Sequence, residues 1–167
     1  MILITHGIIA AATARIIGAD TATSAFIVGF VSHFIGDAFP HWHYEARILK
    51  KMHRKDRGDV TPPITLFDIF HDGGAIALDG VFSLALPLLA GFLAHQPLLS
   101  IFWAACGGLV PDALQMAYYL FPKTPLAYLQ RFHKWIHAEK LLDDFPVYGI
   151  AWQTALSIVG IIILLTF

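Results

Sequence analysis

Hydrophobic residues form five long runs along this chain, and the polar residues concentrate in two segments between them. The runs cover residues 2–17, 22–39, 75–94, 98–121 and 147–167. The last run has no charged residue in its 21 positions, and about 20 apolar residues are enough for a helix to cross a bilayer. We therefore predict an all-α, polytopic membrane helix bundle of about five transmembrane helices, which forms a single integral membrane domain over residues 1–167.

The composition supports a membrane location and narrows the range of partners. Hydrophobic residues make up 57% of the chain and charged residues only 14%, a balance that is unusual in a soluble domain of this length. The net charge of −1 gives no reason to expect nucleic acid, so the expected partners are membrane lipids and a lipid-like substrate. The single cysteine, Cys106, excludes an intrachain disulfide. No feature of the sequence indicates an oligomeric state.

The distribution of basic residues predicts an orientation in the membrane. Ten of the eleven Lys and Arg residues fall in the two polar segments, 40–64 and 122–146, and the exception is Arg15. The positive-inside rule therefore places both segments and the N-terminus in the cytoplasm and the C-terminus outside. Within the second segment, residues 125–140 are amphipathic, and we expect Phe132 and Trp135 to lie on the bilayer surface while the histidines face inward.

Two stretches of the chain align without a gap over their first helix, which indicates an internal repeat of residues 5–40 and 78–115. Three small residues coincide in this alignment, and His6 falls on Asp79. The following helices then match at Asp37 and Asp112. If the repeat is real, two helical hairpins of the same orientation pack around an axis along the membrane normal. Chance similarity between two apolar segments is the alternative.

Ionisable side chains inside the apolar runs are the most informative feature of the sequence. Each costs roughly 2.5–3.5 kcal/mol in the bilayer even on the lenient insertion scale, so several of them need a common explanation. The predicted topology brings His6, Asp37, Asp79 and Asp112 to a similar depth, just inside the cytoplasmic leaflet. Structural acids held by hydrogen bonds, and proton carriers in a transporter, are the alternatives to a metal site.

Two pairs of residues have the i, i+4 spacing that lets two helical side chains bind the same ion. They are His33 with Asp37, and His133 with His137. The full set of candidate ligands exceeds what one tetrahedral ion uses, so two ions about 3.5–4 Å apart would accommodate them. Mixed imidazole and carboxylate ligands suit zinc first, with manganese or iron as alternatives. The predicted metal ligands are His6, His33, Asp37, Asp79, Asp112, His133 and His137.

Other polar residues near these positions have less defined roles. Asp72 and Glu139 are the candidate catalytic residues, as general bases that accept a proton from water. His41, His43 and Glu45 follow Pro40, which ends the second run. They either join the site or solvate the loop at the headgroups, and for His43 we favour solvation.

One segment resembles the bacterial and archaeal membrane-bound metal-dependent hydrolase family. This is the stretch Gly-Phe-Val-Ser-His-Phe-Ile-Gly-Asp that ends at Asp37, followed by Pro40-His41. Family members are similar in having a Ser-His-x-x-x-Asp helix. They also have an early His-Gly or His-Ala, here at His6, and a Pro-Asp in a transmembrane segment, here at Asp112. The resemblance implies a multi-pass metal-binding hydrolase of a prokaryotic cell membrane, with matched positions at His6, His33, Asp37 and Asp112.

The chain departs from the family in two motifs. The family often continues its Pro-Asp into Pro-Asp-x-Asp-His, whereas Asp112 is followed here by Ala-Leu-Gln. Its His-Arg-x-x-Thr-His motif is absent as well. We infer from the residues, and not from the family, that His133 and His137 replace the missing ligands.

These observations favour a metal-dependent membrane hydrolase that acts on a lipid-like ester or phosphoester near the cytoplasmic surface. A proton- or ion-coupled transporter that uses Asp79 and Asp112 is the main alternative. A haem protein with His33 or His133 as axial ligand, and a purely structural membrane protein, are the remaining interpretations.

Overall fold

The computed structural model describes residues 1–43, 47–48, 51, 63, 65–120, 124–138 and 142–167. Among these residues it is all-helical, as predicted, with six helices placed in chain order. The helices are α1 (Leu3–Ile16), α2 (Ala22–Asp37), α3 (Leu66–Leu93), α4 (Leu98–Leu120), α5 (Thr124–Ile136) and α6 (Pro146–Thr166).

Three of the described helices are long and apolar enough to cross a membrane, over Leu66–Leu93, Leu98–Tyr118 and Pro146–Thr166. Helices α1 and α2 are apolar but shorter, with 14 and 16 residues. At 1.5 Å per residue, α1 is about 21 Å long. Large apolar side chains on the outer faces of α3 and α6 are exposed, among them Leu78, Phe92 and Ile162, as expected where lipid replaces water.

Helix α3 starts earlier than the apolar run predicts. The run begins at residue 75, but the helix begins at Leu66. The cause is a capping box in which the Thr65 side chain accepts a hydrogen bond from the Asp68 backbone and the Asp68 side chain accepts one from the Thr65 backbone. A matching box formed by Thr21 and Ser24 starts α2. Polar first turns of this kind cannot be found from hydrophobicity alone.

Helix α1 lies at the centre of the bundle and packs against α2, α3, α4 and α6. Its side chains join a core cluster with three of these helices, which consists of Ala11, Ala12, Ala90, Ile101 and Leu164. Contacts of Gly7 with Ser83 and of Gly29 with Ala104 indicate that α1 runs parallel to α3, and α2 parallel to α4. The two hairpins thus have the same orientation, as the predicted repeat requires, although the repeat itself stays a prediction.

Small residues allow α2 and α4 to cross at close range. A Cβ atom at Gly29 would collide with the backbone carbonyl of Ala104, and one at Gly107 would collide with that of Phe26. Side chains at these positions would separate the two helices, so glycine is needed at the crossing. This close crossing brings the C-terminal half of α2 against α4, where the polar residues lie.

We expect Gly107→Ala to destabilise the bundle by about 1–3 kcal/mol, because the added methyl group cannot fit without moving backbone. Gly73→Ala is the matched control, since a Cβ at Gly73 meets nothing within 4 Å. Alanine also favours a helix over glycine by about 1 kcal/mol, so the control should be neutral or stabilising. Thermal unfolding of both variants in detergent tests this, and equal melting temperatures would contradict the close crossing.

Candidate metal centre

The buried acidic and imidazole side chains gather at one end of the bundle. At this end α1 begins and α2 ends, so that His6 reaches Asp37. Helix α4 adds Asp112 and helix α5 adds His133. The segment after α2 turns back over the same end and brings His41 to Asp37. Residues of metal-ligand type therefore converge from four helices and a loop.

The carboxylate of Asp37 is the centre of the first cluster, which we call the Asp37 group: His6, His33, Asp37, Asp112 and His133. Its Oδ2 lies 2.9 Å from His133 Nε2 and 3.1 Å from His33 Nε2. Its Oδ1 lies 3.2 Å from His6 Nε2, and Asp112 Oδ1 lies 3.7 Å from His33 Nε2. Ligand atoms of His33, Asp37, Asp112 and His133 all lie within 4.8 Å of one another. The group can therefore hold a metal ion.

Hydrogen bonding on the far side of His33 determines which nitrogen faces the carboxylate. His33 Nδ1 lies 2.8 Å from the Gly108 carbonyl oxygen. A carbonyl only accepts, so Nδ1 carries a proton and a neutral ring presents its lone pair at Nε2. Among the described residues, Nε2 of His6 and Nε2 of His33 have no hydrogen-bond partner. Both nitrogens lie within 3.2 Å of an Asp37 oxygen, so a ring proton or a bound cation must lie between each nitrogen and the carboxylate.

Three further histidines form a second cluster, which we call the three-histidine group: His41, His43 and His137. Their ligand nitrogens lie within 4.8 Å of one another, and His41 Nε2 is 2.9 Å from His43 Nε2. Burial, reinforced by the nearby Met1 ammonium, lowers the pKa of His41 to about 3 and that of His43 to about 2. Burial also lowers the pKa of His137. All three imidazoles are therefore neutral at neutral pH, the form that binds metal ions.

The two clusters lie next to each other and share a cavity of about 390 Å³. His41 Nε2 is 3.5 Å from Asp37 Oδ1. The Met1 ammonium lies 3.0 Å from Asp37 Oδ1 and 3.4 Å from His43 Nε2, so the space between the clusters accommodates positive charge. Residues of both clusters line the cavity together with apolar side chains of α3 and α4, namely Ile76, Leu109 and Met116.

The structure brings most of the predicted ligands together but divides them between the clusters. His6, His33, Asp37, Asp112 and His133 lie in the Asp37 group, whereas His137 lies in the three-histidine group. His41 and His43, for which the sequence left two roles open, are that group's other members. The side chain of His43, for which we favoured solvation, is 34% exposed, and its backbone amide donates to Asp143, so His43 lies at the solvent edge of this group.

Asp72, one of the two predicted general bases, belongs to neither cluster. Asp72 contacts the Ile48 backbone amide at 2.8 Å and the exposed His71 ring at 3.1 Å, and it does not line the described cavity. Glu139, the second predicted general base, lies outside the described residues, as does Glu45.

Asp79 lies outside both clusters and caps α1. Its two carboxylate oxygens accept hydrogen bonds from the backbone amides of Leu3 at 2.9 Å and Ile4 at 2.8 Å. The first turn of a helix has unpaired N–H groups and a partial positive charge, and a carboxylate satisfies both. Gln153 of α6 completes this arrangement, because its Oε1 accepts from the Ile2 amide at 2.9 Å. Together they fix the start of α1, one turn before His6.

We expect Asp79→Ala to lower stability by about 1–3 kcal/mol, the cost of leaving buried backbone donors without an acceptor. Metal content should stay unchanged, because both Asp79 oxygens are used by the backbone. Thermal unfolding and metal analysis of the same purified sample separate the two effects. A variant that melts like the parent but has lost its metal would instead make Asp79 a ligand. Asp79→Asn, which keeps one acceptor oxygen, should be intermediate in stability.

Gln153 is a structural residue that the sequence analysis missed. It is buried in α6 and also donates to the Trp42 carbonyl at 3.0 Å, so it ties the His41–His43 segment to the bundle. An isolated glutamine in an apolar span was the signal for this role, since polar side chains in such spans find partners.

Comparison of the chain with models of protein families, with curated proteins and with solved structures finds no match.

Proposed function

We propose that this protein is a multi-pass membrane hydrolase whose Asp37 group holds a divalent metal ion. The observation that carries the proposal is the convergence of three imidazoles, from α1, α2 and α5, on one buried carboxylate. Zinc is the first choice of ion and manganese or iron the alternatives, because the donors are imidazole nitrogens and carboxylate oxygens.

The residues of the Asp37 group fit such an ion. The lone pair on His33 Nε2 faces the cluster, because the opposite nitrogen donates to Gly108. Nε2 of His6 and Nε2 of His33 are buried and have no hydrogen-bond partner among the described residues. A bound cation would satisfy both nitrogens. When bound, the ion would lower the pKa of water toward about 7 and polarise a phosphoryl or acyl oxygen.

Asp112 is the residue we assign to proton transfer. Its side chain is 25% exposed, whereas that of Asp37 is 2% exposed. It also lines the cavity. A carboxylate that reaches both the ligand cluster and the open space can accept the proton of an attacking water and return it to the leaving group. Asp37 is enclosed by imidazoles and serves to hold the cluster.

The cavity walls favour a substrate that is partly lipid. Ile76 and Leu109 line one side, and Asp112 and His133 line the other. This arrangement places an apolar wall beside polar groups, which suits a molecule with an acyl or alkyl chain and an ester or phosphoester head. The sequence has no Gly-x-Ser-x-Gly motif, so we favour activated water over a covalent serine nucleophile.

The membrane arrangement is part of the proposal. We propose that α1 and α2 cross the bilayer with the three longer helices, in a thinned or locally adapted region around the short α1. The basic segments then lie in the cytoplasm, the C-terminus lies outside, and the site opens at the inner headgroup layer. Helix α5 fits this surface: Trp135 and Phe132 are exposed while His133 is buried. The Ser-His-x-x-x-Asp resemblance supports both the metal site and a prokaryotic membrane.

The geometry favours a hydrolase over the alternatives. A transporter that uses Asp79 would need its carboxylate to be free to exchange ions, but both oxygens accept backbone hydrogen bonds. A haem between His33 and His133 would need space between their Nε2 atoms, yet both lie within 3.1 Å of the same Asp37 oxygen.

The test is hydrolysis by purified protein loaded with zinc or manganese in mixed micelles. Three substrates are compared: a long-chain phosphate monoester, a phospholipid diester and a long-chain carboxylic ester. We expect metal-dependent turnover of at least one, and loss of that turnover in Asp112→Asn. Protein that binds metal through the Asp37 group but hydrolyses none of the three would contradict the hydrolase assignment.

A further inference from the structure

We propose that the three-histidine group, His41, His43 and His137, is a second transition-metal site, next to the first and linked to it through Asp37. The inference goes beyond hydrolysis, because the site would bind metal even in a protein without that activity.

The orientation of the rings carries the proposal. His41 Nδ1 lies 2.7 Å from the Phe39 carbonyl oxygen, and His137 Nδ1 lies 3.4 Å from that of Ala138. His43 Nδ1 lies 3.5 Å from the Asp143 carboxylate. In His41 and His137 the outer nitrogen therefore faces a carbonyl oxygen and carries the proton, and in His43 the outer nitrogen lies toward a carboxylate. This is the outer contact that metal-binding histidines commonly make.

The inner nitrogens consequently face one another, and a proton or a cation must lie between His41 and His43. His41 Nε2 and His43 Nε2 are only 2.9 Å apart. If both rings carry their proton at Nδ1, no hydrogen remains between the two Nε2 atoms and their lone pairs repel. A cation between them removes this repulsion and uses both nitrogens as ligands.

The backbone holds the two halves of the cluster together without help from a ligand. The Ala138 amide donates to the Asp37 carbonyl at 2.8 Å, and the Leu142 amide donates to the His41 carbonyl at 2.9 Å. The His43 amide donates to Asp143 Oδ1 at 2.9 Å. These bonds join segments that are about a hundred residues apart in sequence, so the three imidazoles are positioned in advance.

The ligand chemistry identifies the class of ion. Three neutral imidazoles favour zinc, copper or nickel over magnesium and calcium, which prefer oxygen ligands. His41 Nε2 also lies 3.5 Å from Asp37 Oδ1, while Asp37 Oδ2 faces His33 and His133. Oδ2 thus faces the Asp37 group, and Oδ1 lies between His6 of that group and His41 of the three-histidine group, so the carboxylate can bridge two ions.

Metal stoichiometry of the full-length protein in detergent tests the second site. Purified protein is dialysed against zinc, freed of loosely bound ion, and analysed for zinc per chain. We expect two ions for the parent protein and one for His43→Ala or His137→Ala. We also expect one for Asp112→Asn combined with His133→Ala, which removes the first site and spares the three-histidine group. His95→Asn is the control, because His95 is exposed in the turn before α4 and asparagine tolerates its positive φ of 55°.

The outcomes separate this inference from the proposed hydrolase. One ion in the parent, kept in His43→Ala and His137→Ala but lost in Asp112→Asn/His133→Ala, would overturn the second site and leave the first. One ion in the parent that is lost in His43→Ala and His137→Ala, but kept in Asp112→Asn/His133→Ala, would support a metal site at the three-histidine group. It would rule out the metal site at the Asp37 group. Two ions that stay bound in both His43→Ala and His137→Ala would also overturn the second site. Cobalt(II) loading gives an independent readout, since the visible spectrum of the parent should lose one component in His43→Ala.

Discussion

Asp37→Asn is expected to abolish metal binding and to reduce hydrolysis by more than about 100-fold. Loss of even an outer-shell partner of a metal ligand typically costs about 10–100-fold in affinity or activity, and Asp37 lies at the centre of the cluster. Asparagine has nearly the same shape as aspartate but lacks its charge, so the substitution isolates the electrostatic role. Metal analysis and turnover by the same purified sample measure both effects.

The size of this effect follows from the surroundings of the carboxylate. Imidazole nitrogens of His6, His33, His41 and His133 lie within 3.5 Å of its two oxygens. Asparagine presents an NH₂ group at one of these positions, where it meets a ring nitrogen and cannot bind a cation. Because Asp37 contacts His41 of the three-histidine group as well as the histidines of its own group, the substitution should lower zinc content at both sites and not at one alone.

Asp20→Asn is the matched control for this experiment. Asp20 is an exposed aspartate at the opposite end of α1, where its side chain lies 3.5 Å from Arg15. An exposed ion pair of this kind contributes only about 0–1 kcal/mol, so metal content, turnover and melting temperature should all stay near the parent values. A full complement of zinc in Asp37→Asn would show that the carboxylate does not hold metal, and the proposed centre would have to be abandoned.

The sequence was sufficient to predict an all-helical chain with helices long and apolar enough to cross a membrane, because long apolar runs favour that outcome directly. It was less informative about the lengths of the individual helices. The apolar runs predict five helices of membrane-crossing length, whereas α1 and α2 have 14 and 16 residues. Hydrophobicity measures where a helix is apolar, but its ends are decided by capping groups such as Thr21 and by turns such as that at Gly18, whose φ is 69°.

Candidate ligands that lie within helices could be found by spacing alone. His33 and Asp37 are four residues apart in α2, and their side chains meet as the spacing predicts. His133 and His137 also lie near each other, with ring centroids 6.0 Å apart, and the His137 amide donates to the His133 carbonyl. The His137 ring packs closer to His41, with centroids 4.8 Å apart, so the two histidines belong to different clusters.

The three-histidine group could not be derived from the sequence because it depends on the path of two loops. The segment after Pro40 is held over the bundle by Gln153 of α6, which donates to Trp42, and by backbone contacts with Leu142 and Asp143. Such contacts join distant positions and leave no periodic signal. The role of Asp79 was hidden for a related reason, since a buried aspartate is equally consistent with a ligand and with a cap.

Removal of bound metal is expected to lower the melting temperature of the protein by roughly 10 °C. A ligand that binds only the folded state stabilises it by about 4 kcal/mol at a thousand times its Kd. For a chain of this size each kcal/mol corresponds to about 2–4 °C. The effect should be large here because, within the described part of the chain, the buried Asp37 carboxylate is faced by imidazoles and the Met1 ammonium, and protonation of imidazoles in a desolvated site is costly.

Thermal unfolding with and without a chelator, followed by zinc addition, measures this effect. The parent protein should recover its melting temperature when zinc is restored, whereas Asp37→Asn should melt at one temperature under all three conditions. His43→Ala should keep part of the shift, because the Asp37 group remains intact. Identical melting curves for the parent before and after chelation would mean that the folded state gains nothing from a cation. The protein itself would then neutralise Asp37, through the Met1 ammonium or through protonated His6, His33 or His133.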